Sequence, residues 1–195
     1  MLDQILQYDK ELFLYLNNLG SETWDRLWIA ITNKFVFGSI MGLILLYGFY
    51  KKFGLKSTLV LISLTALMLT FTDQFTNVFK RTFERTRPCR TEGVMEYMRF
   101  IAARCGLYGF FSGHSSNSMA VAIFGAMLLR PYYKKLIYVL ISISLIVAYS
   151  RIYVGVHYPL DIICGLTFGA ISGFLFYKLA IYVLKRLEIQ KTKPI

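Results

Sequence analysis

Charged residues are scarce in this sequence, and acidic ones are the scarcest. Of 195 residues only 17% are charged, with 11 Asp and Glu against 22 Lys and Arg, while 56% are hydrophobic. Soluble domains carry about 25% charged residues, so this composition disfavours a typical soluble globular domain. No segment offers the basic face on a soluble domain that nucleic-acid binding needs, and we therefore expect no nucleic-acid partner.

Proline is also rare, and its four positions all lie outside the long apolar runs: Pro88, Pro131, Pro159 and Pro194. Helices formed by those runs can therefore continue without a kink. Residues 1–30 lack a basic segment followed by an apolar core, so we expect no cleaved secretory signal. Internal repeats are lacking too, and we expect residues 1–195 to form a single membrane-embedded domain.

The sequence is rich instead in long uncharged runs. There are five, at residues 35–50, 57–72, 105–129, 136–150 and 162–177. Most are slightly shorter than the roughly 20 apolar residues that cross a bilayer, but each reaches that length with flanking polar residues. The runs predict an all-α integral membrane bundle with about five transmembrane helices, and a soluble helical bundle is the disfavoured alternative. Gly165, Gly169 and Gly173 indicate a close-packing face on the fifth helix.

The first 33 residues differ from the spans. Apolar residues recur there at helical spacing with polar residues, including Asn17, between them. The apolar positions are Leu2, Ile5, Leu6, Phe13, Leu16 and Leu19. This pattern is typical of an amphipathic helix in the membrane interface. We predict an interfacial N-terminal segment over residues 1–33, broken at Gly20-Ser21-Glu22.

Basic residues cluster in three loops, at residues 51–56, 130–135 and 185–193. Five spans place all three loops on one side of the membrane, and the excess of Lys and Arg makes that side cytoplasmic. We therefore expect a cytoplasmic tail at 185–195 and an extracytoplasmic active-site loop at 80–112. The expected location is a bacterial-type cytoplasmic (inner) membrane, with the site on the periplasmic side.

The outer segment 80–104 departs from this charge rule. It contains seven basic residues: Lys80, Arg81, Arg85, Arg87, Arg90, Arg99 and Arg104. Cytoplasmic placement would explain their charge but would contradict the other three loops. We infer that these cations bind an anion.

Three short polar clusters map to the outer face. They are KRTFERTRP with Lys80 and Arg87, FFSGHSSNS with Ser112, Gly113 and His114, and SRIYVGVHYPLD with Arg151, His157 and Asp161. Taken singly, each has a structural explanation: a basic interfacial anchor, a Ser-Gly helix cap, and a capping aspartate beside an interfacial histidine. Together they contain both histidines of the chain.

The combination of these clusters indicates phosphate chemistry. Two histidines and an aspartate could bind zinc, but three nearby cations oppose a divalent metal and favour a phosphate. Asp161 lies four residues after His157, so it can accept the Nδ1–H and leave Nε2 as a nucleophile. The free N–H groups of a helix that begins near Gly113 can bind an anion. We predict phosphoryl transfer through a histidine, with no metal and no cofactor.

The spacing of the clusters resembles the signature of the type 2 phosphatidic acid phosphatase superfamily, membrane lipid phosphatases related to the vanadium haloperoxidases. The matching pattern is Lys80-x6-Arg87-Pro88, then Ser112-Gly113-His114, then Ser150-Arg151-x5-His157-x3-Asp161. Phe111 stands where the second motif usually begins with proline, which changes a turn residue but no chemical group.

The resemblance implies a role for each motif residue. His157 would attack phosphorus to form a phosphohistidine, with Asp161 holding its tautomer, and His114 would protonate the leaving oxygen and then activate water. The remaining residues would bind the phosphate oxygens: Lys80, Arg87, Ser112, Gly113 and Arg151.

The resemblance further implies an enzyme that acts on lipid phosphates in the outer leaflet. Candidate substrates are undecaprenyl pyrophosphate, phosphatidylglycerophosphate, phosphatidate and lipid A phosphates. The arginines outside the motifs are expected to favour a diphosphate or a bulky anionic headgroup: Arg81, Arg85, Arg90 and Arg99. A lipid-to-lipid phosphotransferase and a non-catalytic lipid-binding protein are the alternatives, and the oligomeric state is left open.

Two of the three cysteines, Cys89 and Cys105, lie in the outer loop, and Cys164 lies in the fifth span. Oxidising conditions outside the cytoplasm permit disulfides, whereas an intramembrane thiol packs as a small apolar group. We expect a Cys89–Cys105 bridge, which would close a loop of about 15 residues and stabilise the fold by about 3 kcal/mol in the chain-entropy model. Two unpaired loop thiols are the alternative.

Overall fold

The computed structural model describes residues 1–191, except for the side chains at 37 and 188–191. The end of the predicted cytoplasmic tail, residues 192–195, lies outside this range. Within it the regular elements are helical: α1 (Leu2–Asn18), α2 (Glu22–Thr32), α3 (Lys34–Phe83), α4 (Gly113–Leu129), α5 (Leu136–Tyr153), α6 (Pro159–Lys191) and a 3-10 turn (Pro88–Arg90).

Helix α3 is broken at Gly54, whose φ of 73° and ψ of 174° lie outside the helical region. Glycine adopts such a positive φ without steric cost. The first arm (34–53) runs in the same direction as α4, because Leu45 contacts Gly125 and Gly48 lies against Leu129. The second arm (55–83) runs the opposite way, because Thr72 bonds to Asn117 whereas Thr76 lies beside Gly113. The two arms of α3 are therefore antiparallel.

Among the described residues, three helices are long and apolar enough to cross a membrane: Lys34–Phe83, Leu136–Tyr153 and Pro159–Leu187. The first of them contains two of the predicted runs, one in each arm. Helix α4 contains residues 113–129 of the remaining run, while residues 105–112 precede the helix. It is buried among the others, with Ala120, Ala122 and Phe124 fully inaccessible. The chain is an integral membrane helical bundle, which confirms the predicted fold class of about five transmembrane helices.

Helices α4 and α6 pack with almost no space between their backbones. A Cβ added at Gly165 would lie 2.6 Å from the carbonyl oxygen of Ser112, and one at Gly173 would lie 2.5 Å from that of Ala120. Gly169 faces the backbone of Ser116 in the same way. This confirms the predicted packing face, which brings the first turn of α6 against the first turn of α4.

The amino-terminal residues form two helices that pack on the ends of α5 and α6, and the break between them is where the sequence predicted it. The buried face of α1 consists of Asp9, Phe13 and Asn17, spaced four residues apart. Asn17 is polar, yet it lies on this buried face. Its amide donates to the carbonyls of Arg99, Ile152 and Tyr153, each at 3.0 Å, so the side chain is buried with its hydrogen bonds made.

The segment between α3 and α4 turns back on itself as a narrow hairpin. The Gly109 N–H donates to the Arg85 carbonyl at 2.8 Å, and the Arg87 N–H donates to the Leu107 carbonyl at 3.3 Å. Continuing this pairing brings Cys89 opposite Cys105, and these two residues form a disulfide with Cα atoms 6.3 Å apart. The predicted bridge is confirmed, and it fastens the hairpin that carries Arg87.

The disulfide gives a direct prediction for stability. The double variant Cys89→Ser/Cys105→Ser should lose about 3 kcal/mol of unfolding free energy, because the unfolded chain regains the entropy of an open loop of about 15 residues. Denaturant unfolding in detergent micelles measures this loss. Cys164→Ser is the matched control and should leave the unfolding free energy nearly unchanged. Thiol labelling of both loop cysteines in unreduced protein would contradict the bridge.

Candidate active site

A cavity of about 630 Å³ opens where the outer ends of α3, α4 and α5 meet. Its polar end is formed by motif residues from every cluster that the sequence singled out: Lys80, Arg87, Gly113, His114, Arg151 and His157. Lys80 comes from the last turn of α3, His114 from the first turn of α4 and Arg151 from the last turn of α5. Motif residues up to 77 positions apart in the sequence (Lys80 to His157) therefore face one space.

His157 lies in the short connection between α5 and α6, and its side chain is only 2% exposed. Pro159 begins α6, which puts Asp161 in the first turn, and the Asp161 Oδ2 lies 3.3 Å from the His157 Nδ1. Burial lowers the pKa of His157 well below its usual value, and the neighbouring cations Arg87, Arg151 and Lys80 lower it further. The ring is therefore neutral near pH 7, with Nε2 available as a nucleophile.

Two of the cations at the polar end, Arg87 and Arg151, are held by hydrogen bonds within the protein. The Nε of Arg87 donates to the Tyr108 carbonyl at 3.0 Å, which aims the rest of the guanidinium at the cavity. Arg151 donates through Nη1 to the hydroxyl of Thr32, while its buried Nε has no partner within the described residues. Both guanidinium groups lie at the polar end, where their charge favours an anionic ligand.

Ser112 does not line the cavity. Its hydroxyl is fully buried and caps α4 by accepting from the Ser115 N–H at 3.4 Å and the Ser115 hydroxyl at 3.0 Å. The backbone N–H of Ser112 donates to the Asp161 carbonyl at 3.0 Å. This residue therefore holds α4 against α6, whereas Gly113 and His114 reach the cavity. Asp161 also lies behind His157, outside the cavity wall.

Two of the additional arginines are already engaged within the protein. Arg85 forms ion pairs with Asp9 and Asp161, and Arg99 pairs with Asp25 at 2.9 Å. The expectation that these two guanidinium groups meet a headgroup is therefore wrong, because a partner carboxylate occupies each of them. Arg81 and Arg90 are exposed, and neither lines the cavity.

Several cavity residues were missed in the sequence. Asn117 follows Gly113 by one helical turn, so it lies on the same face of α4. Its amide donates to Asp73 at 2.7 Å and its carbonyl accepts from the Thr72 hydroxyl at 2.6 Å. Lys34, at the start of α3, faces the same space. The four-residue spacing from Gly113 could have identified Asn117, but no local signal marks Lys34.

The remainder of the cavity is mostly apolar and extends from the polar end between the two arms of α3. Its walls there are Phe35, Gly38, Met41, Gly42, Leu69, Val121 and Val147. We call the polar end of the cavity the anion seat and its apolar remainder the apolar channel. The two match the phosphate and the hydrocarbon part of an amphiphilic phosphate. The imidazole of His157 lines the same cavity and could act as a nucleophile there.

Comparisons with known proteins support the family resemblance that the three motifs indicated. The PAP2 superfamily model matches residues 58–184. The chain is 33% identical over its whole length to a lipid A 4'-phosphatase of Bacteroides thetaiotaomicron, covering 86% of that protein. It is also 33% identical to a lipid A 4'-phosphatase of Porphyromonas gingivalis, over 95% of this chain and 78% of the relative. The chain therefore belongs to the PAP2 superfamily.

A solved structure shows the same fold. The crystal structure of a transmembrane PAP2-type phosphatidylglycerolphosphate phosphatase from Bacillus subtilis aligns with a TM-score of 0.72. The alignment covers 92% of this chain and 88% of the other, at 19% sequence identity. At that identity the match concerns the arrangement of the helices alone.

The anion seat can be tested at two adjacent basic residues, Lys80 and Arg81. Lys80 faces the cavity and Arg81 is exposed outside it. Lys80→Ala should raise the orthovanadate concentration that gives half-maximal thermal stabilisation by about ten-fold or more, because a hydrogen bond to a charged group contributes about 1.5–3 kcal/mol. Arg81→Ala removes the same type of charge and should leave that concentration unchanged. Equal effects of the two variants would contradict a defined seat.

Proposed function

We propose that this chain is a lipid phosphatase that removes the 4'-phosphate of lipid A through a phosphohistidine intermediate. The observation that carries the proposal is the cavity in which Lys80, Arg87 and Arg151 surround two histidines at the head of an apolar channel. A phosphate monoester is held by the cations while the acyl chains remain in an apolar environment. No other arrangement on the described surface of the chain combines these features.

In the first step the His157 Nε2 attacks phosphorus and a P–N bond forms as the bond to the sugar oxygen breaks. Asp161 holds the Nδ1 proton, so the attacking nitrogen keeps its lone pair. His114 gives a proton to the departing oxygen, which leaves as an alcohol. Lys80, Arg87 and Arg151 stabilise the charge on the equatorial oxygens in the transition state, together with the N–H groups at the start of α4.

In the second step water replaces the alcohol. His114, now neutral, takes a proton from the attacking water, and the P–N bond breaks as the new P–O bond forms. Inorganic phosphate leaves, and His157 returns to its neutral form. An alcohol in place of water would give phosphotransfer, so the difference between a hydrolase and a transferase lies in which hydroxyl reaches the intermediate.

Two observations favour lipid A among the candidate lipids. Both lipid A 4'-phosphatases are 33% identical to this chain over 95% or more of its length, whereas an undecaprenyl-diphosphatase of Sulfolobus acidocaldarius that matches 99% of the chain is 26% identical. The cavity also presents hydrogen-bonding groups beyond the cations, on Asp73 and Asn117. Carboxylate and amide groups are suited to the hydroxyls of a sugar headgroup.

We further propose that the site faces the periplasmic side of a bacterial inner membrane. Lys52 at the break in α3 lies 5.0 Å from the ring of Tyr132 in the loop after α4, so two of the basic loops meet at one end of the bundle. The cavity is at the opposite end. The positive-inside rule makes the basic end cytoplasmic, and a disulfide in the outer hairpin is suited to the oxidising side.

A panel of purified lipid phosphates tests the substrate. The wild-type protein should release phosphate from bisphosphorylated lipid A faster than from undecaprenyl pyrophosphate, phosphatidylglycerophosphate or phosphatidate, and mass spectrometry should find the 1-phosphate retained. His157→Ala should reduce this rate by several orders of magnitude because no nucleophile remains.

His114→Ala should be nearly as slow, because the sugar alcohol is a poor leaving group without a proton donor. Near-normal turnover by the His157 variant would contradict the mechanism. A faster rate on another lipid would identify that lipid, instead of lipid A, as the preferred substrate. Labelled lipid A with an added lipid alcohol distinguishes the alternatives: labelled acceptor would indicate a transferase, and binding without product would indicate a non-catalytic protein.

Metal dependence provides an independent test. Activity should survive exhaustive chelation, because the cations and His157 supply the charge stabilisation and the nucleophile. Orthovanadate should inhibit, since it mimics trigonal-bipyramidal phosphorus bound to the imidazole. Loss of activity on chelation that one divalent ion restores would overturn the metal-free mechanism.

A further inference from the structure

Behind the proposed nucleophile lies a buried row of charges that the reaction scheme does not yet use. The Asp161 Oδ2 faces His157, and its Oδ1 accepts from the Arg85 Nη1 at 2.8 Å. The other terminal nitrogen of Arg85 donates to Asp9 on α1. One guanidinium therefore bridges two carboxylates whose side chains are 2% exposed or less, one of them beside the nucleophile.

Asp9 has a second contact that strengthens this arrangement. Its Oδ1 accepts from the Leu160 N–H at 2.9 Å, in the first turn of α6. The first N–H groups of a helix have no partner within it, so a carboxylate there is stabilised by hydrogen bonding and by the helix dipole. Asp9 thus holds the partner of Asp161 and also the helix turn that carries Asp161.

The guanidinium is held in one orientation by aromatic rings. Arg85 lies 4.4 Å from the ring centre of Tyr158, and Phe13 packs edge-on against that ring at 5.3 Å. Tyr158 immediately follows His157, and its N–H donates to the Asp161 Oδ2 at 3.1 Å. The same packing therefore fixes the guanidinium, the carboxylate and the loop that carries the imidazole.

We propose that Asp9 and Arg85 are positioning residues for the His157–Asp161 pair, which makes helix α1 part of the catalytic machinery. This inference rests on the proposed function, in which His157 is the nucleophile. A buried carboxylate requires a compensating charge, and Arg85 supplies it on the side away from the imidazole. Neither Asp9 nor Arg85 lines the cavity, so neither contacts the substrate.

The test uses lipid A hydrolysis by the full-length protein in detergent, with kcat and KM measured separately. Arg85→Lys keeps the positive charge but loses the planar fork that bridges two carboxylates. It should reduce kcat by about 10- to 100-fold, the effect typical of residues that orient a functional histidine through its partner. KM should change less than about two-fold, because the phosphate seat is untouched.

Asp9→Asn tests the contribution of α1. The amide oxygen can still accept from the Leu160 N–H, while the charge facing Arg85 is lost. We expect kcat to fall by about ten-fold at unchanged KM. Asp9→Glu should restore part of the loss because it restores the charge. Asp3→Asn is the matched control: it removes an exposed carboxylate from the same helix and should leave both constants unchanged.

A double-mutant cycle identifies the shared role. If Asp9 and Arg85 act on Asp161 together, the variant Asp9→Asn/Arg85→Lys should lose much less in kcat than the product of the two single losses. Independent, multiplicative losses would indicate two unrelated structural effects and would overturn the proposal.

Folded protein is counted in each variant by orthovanadate-dependent thermal stabilisation. An unchanged kcat per folded molecule in Arg85→Lys overturns the inference, even if Asp9→Asn does not fold. A rise in KM with unchanged kcat also overturns it, because that result would mean a binding role. If the wild-type protein hydrolyses no lipid phosphate, the proposed function fails instead, and the two failures are therefore distinguishable.

Discussion

The buried carboxylate of Asp161 is the group on which the rest of the site depends. The two oxygens of this side chain face the imidazole of His157, the backbone N–H of Tyr158 and the guanidinium of Arg85. The backbone carbonyl of Asp161 accepts from the Ser112 N–H. Burying a carboxylate costs several kcal/mol unless such partners are supplied. The helices and the hairpin around Asp161 supply these partners.

Each of those elements is held in place by a feature with no chemical role of its own. The glycines of α6 let it approach the backbone of α4, which brings Ser112 within hydrogen-bond distance. The disulfide and the short backbone ladder fix the hairpin that carries Arg85 and Arg87. Helix α1 covers the far side through Asp9. Side chains positioned by four separate elements can then keep a fixed geometry, which transition-state stabilisation requires.

The charge distribution of the cavity is suited to an amphiphilic phosphate. Lys34 and the three motif cations face one cavity and repel each other. Burial lowers the pKa of His157, and Arg87, Arg151 and Lys80 lower it further. A bound phosphate would relieve that repulsion, and the arrangement is therefore suited to an anion. The apolar channel between the arms of α3 opens from the same cavity, and a lipid can therefore present its phosphate while its chains remain among apolar side chains.

Much of this site could be predicted from local patterns. His157 and Asp161 lie four residues apart around a proline, and because proline favours the first turn of a helix, the imidazole is expected just before α6 and the carboxylate in its first turn. The glycine repeat and the cysteine pair are equally local signals. The tertiary structure alone decided that Asp9 meets Arg85 and Leu160, which lie 76 and 151 residues away. It also decided that Ser112 caps a helix and that Arg85 turns inward. A sequence pattern specifies which residues share a helix face, but which faces meet, and which polar atoms already have partners, depends on the packing of the whole bundle.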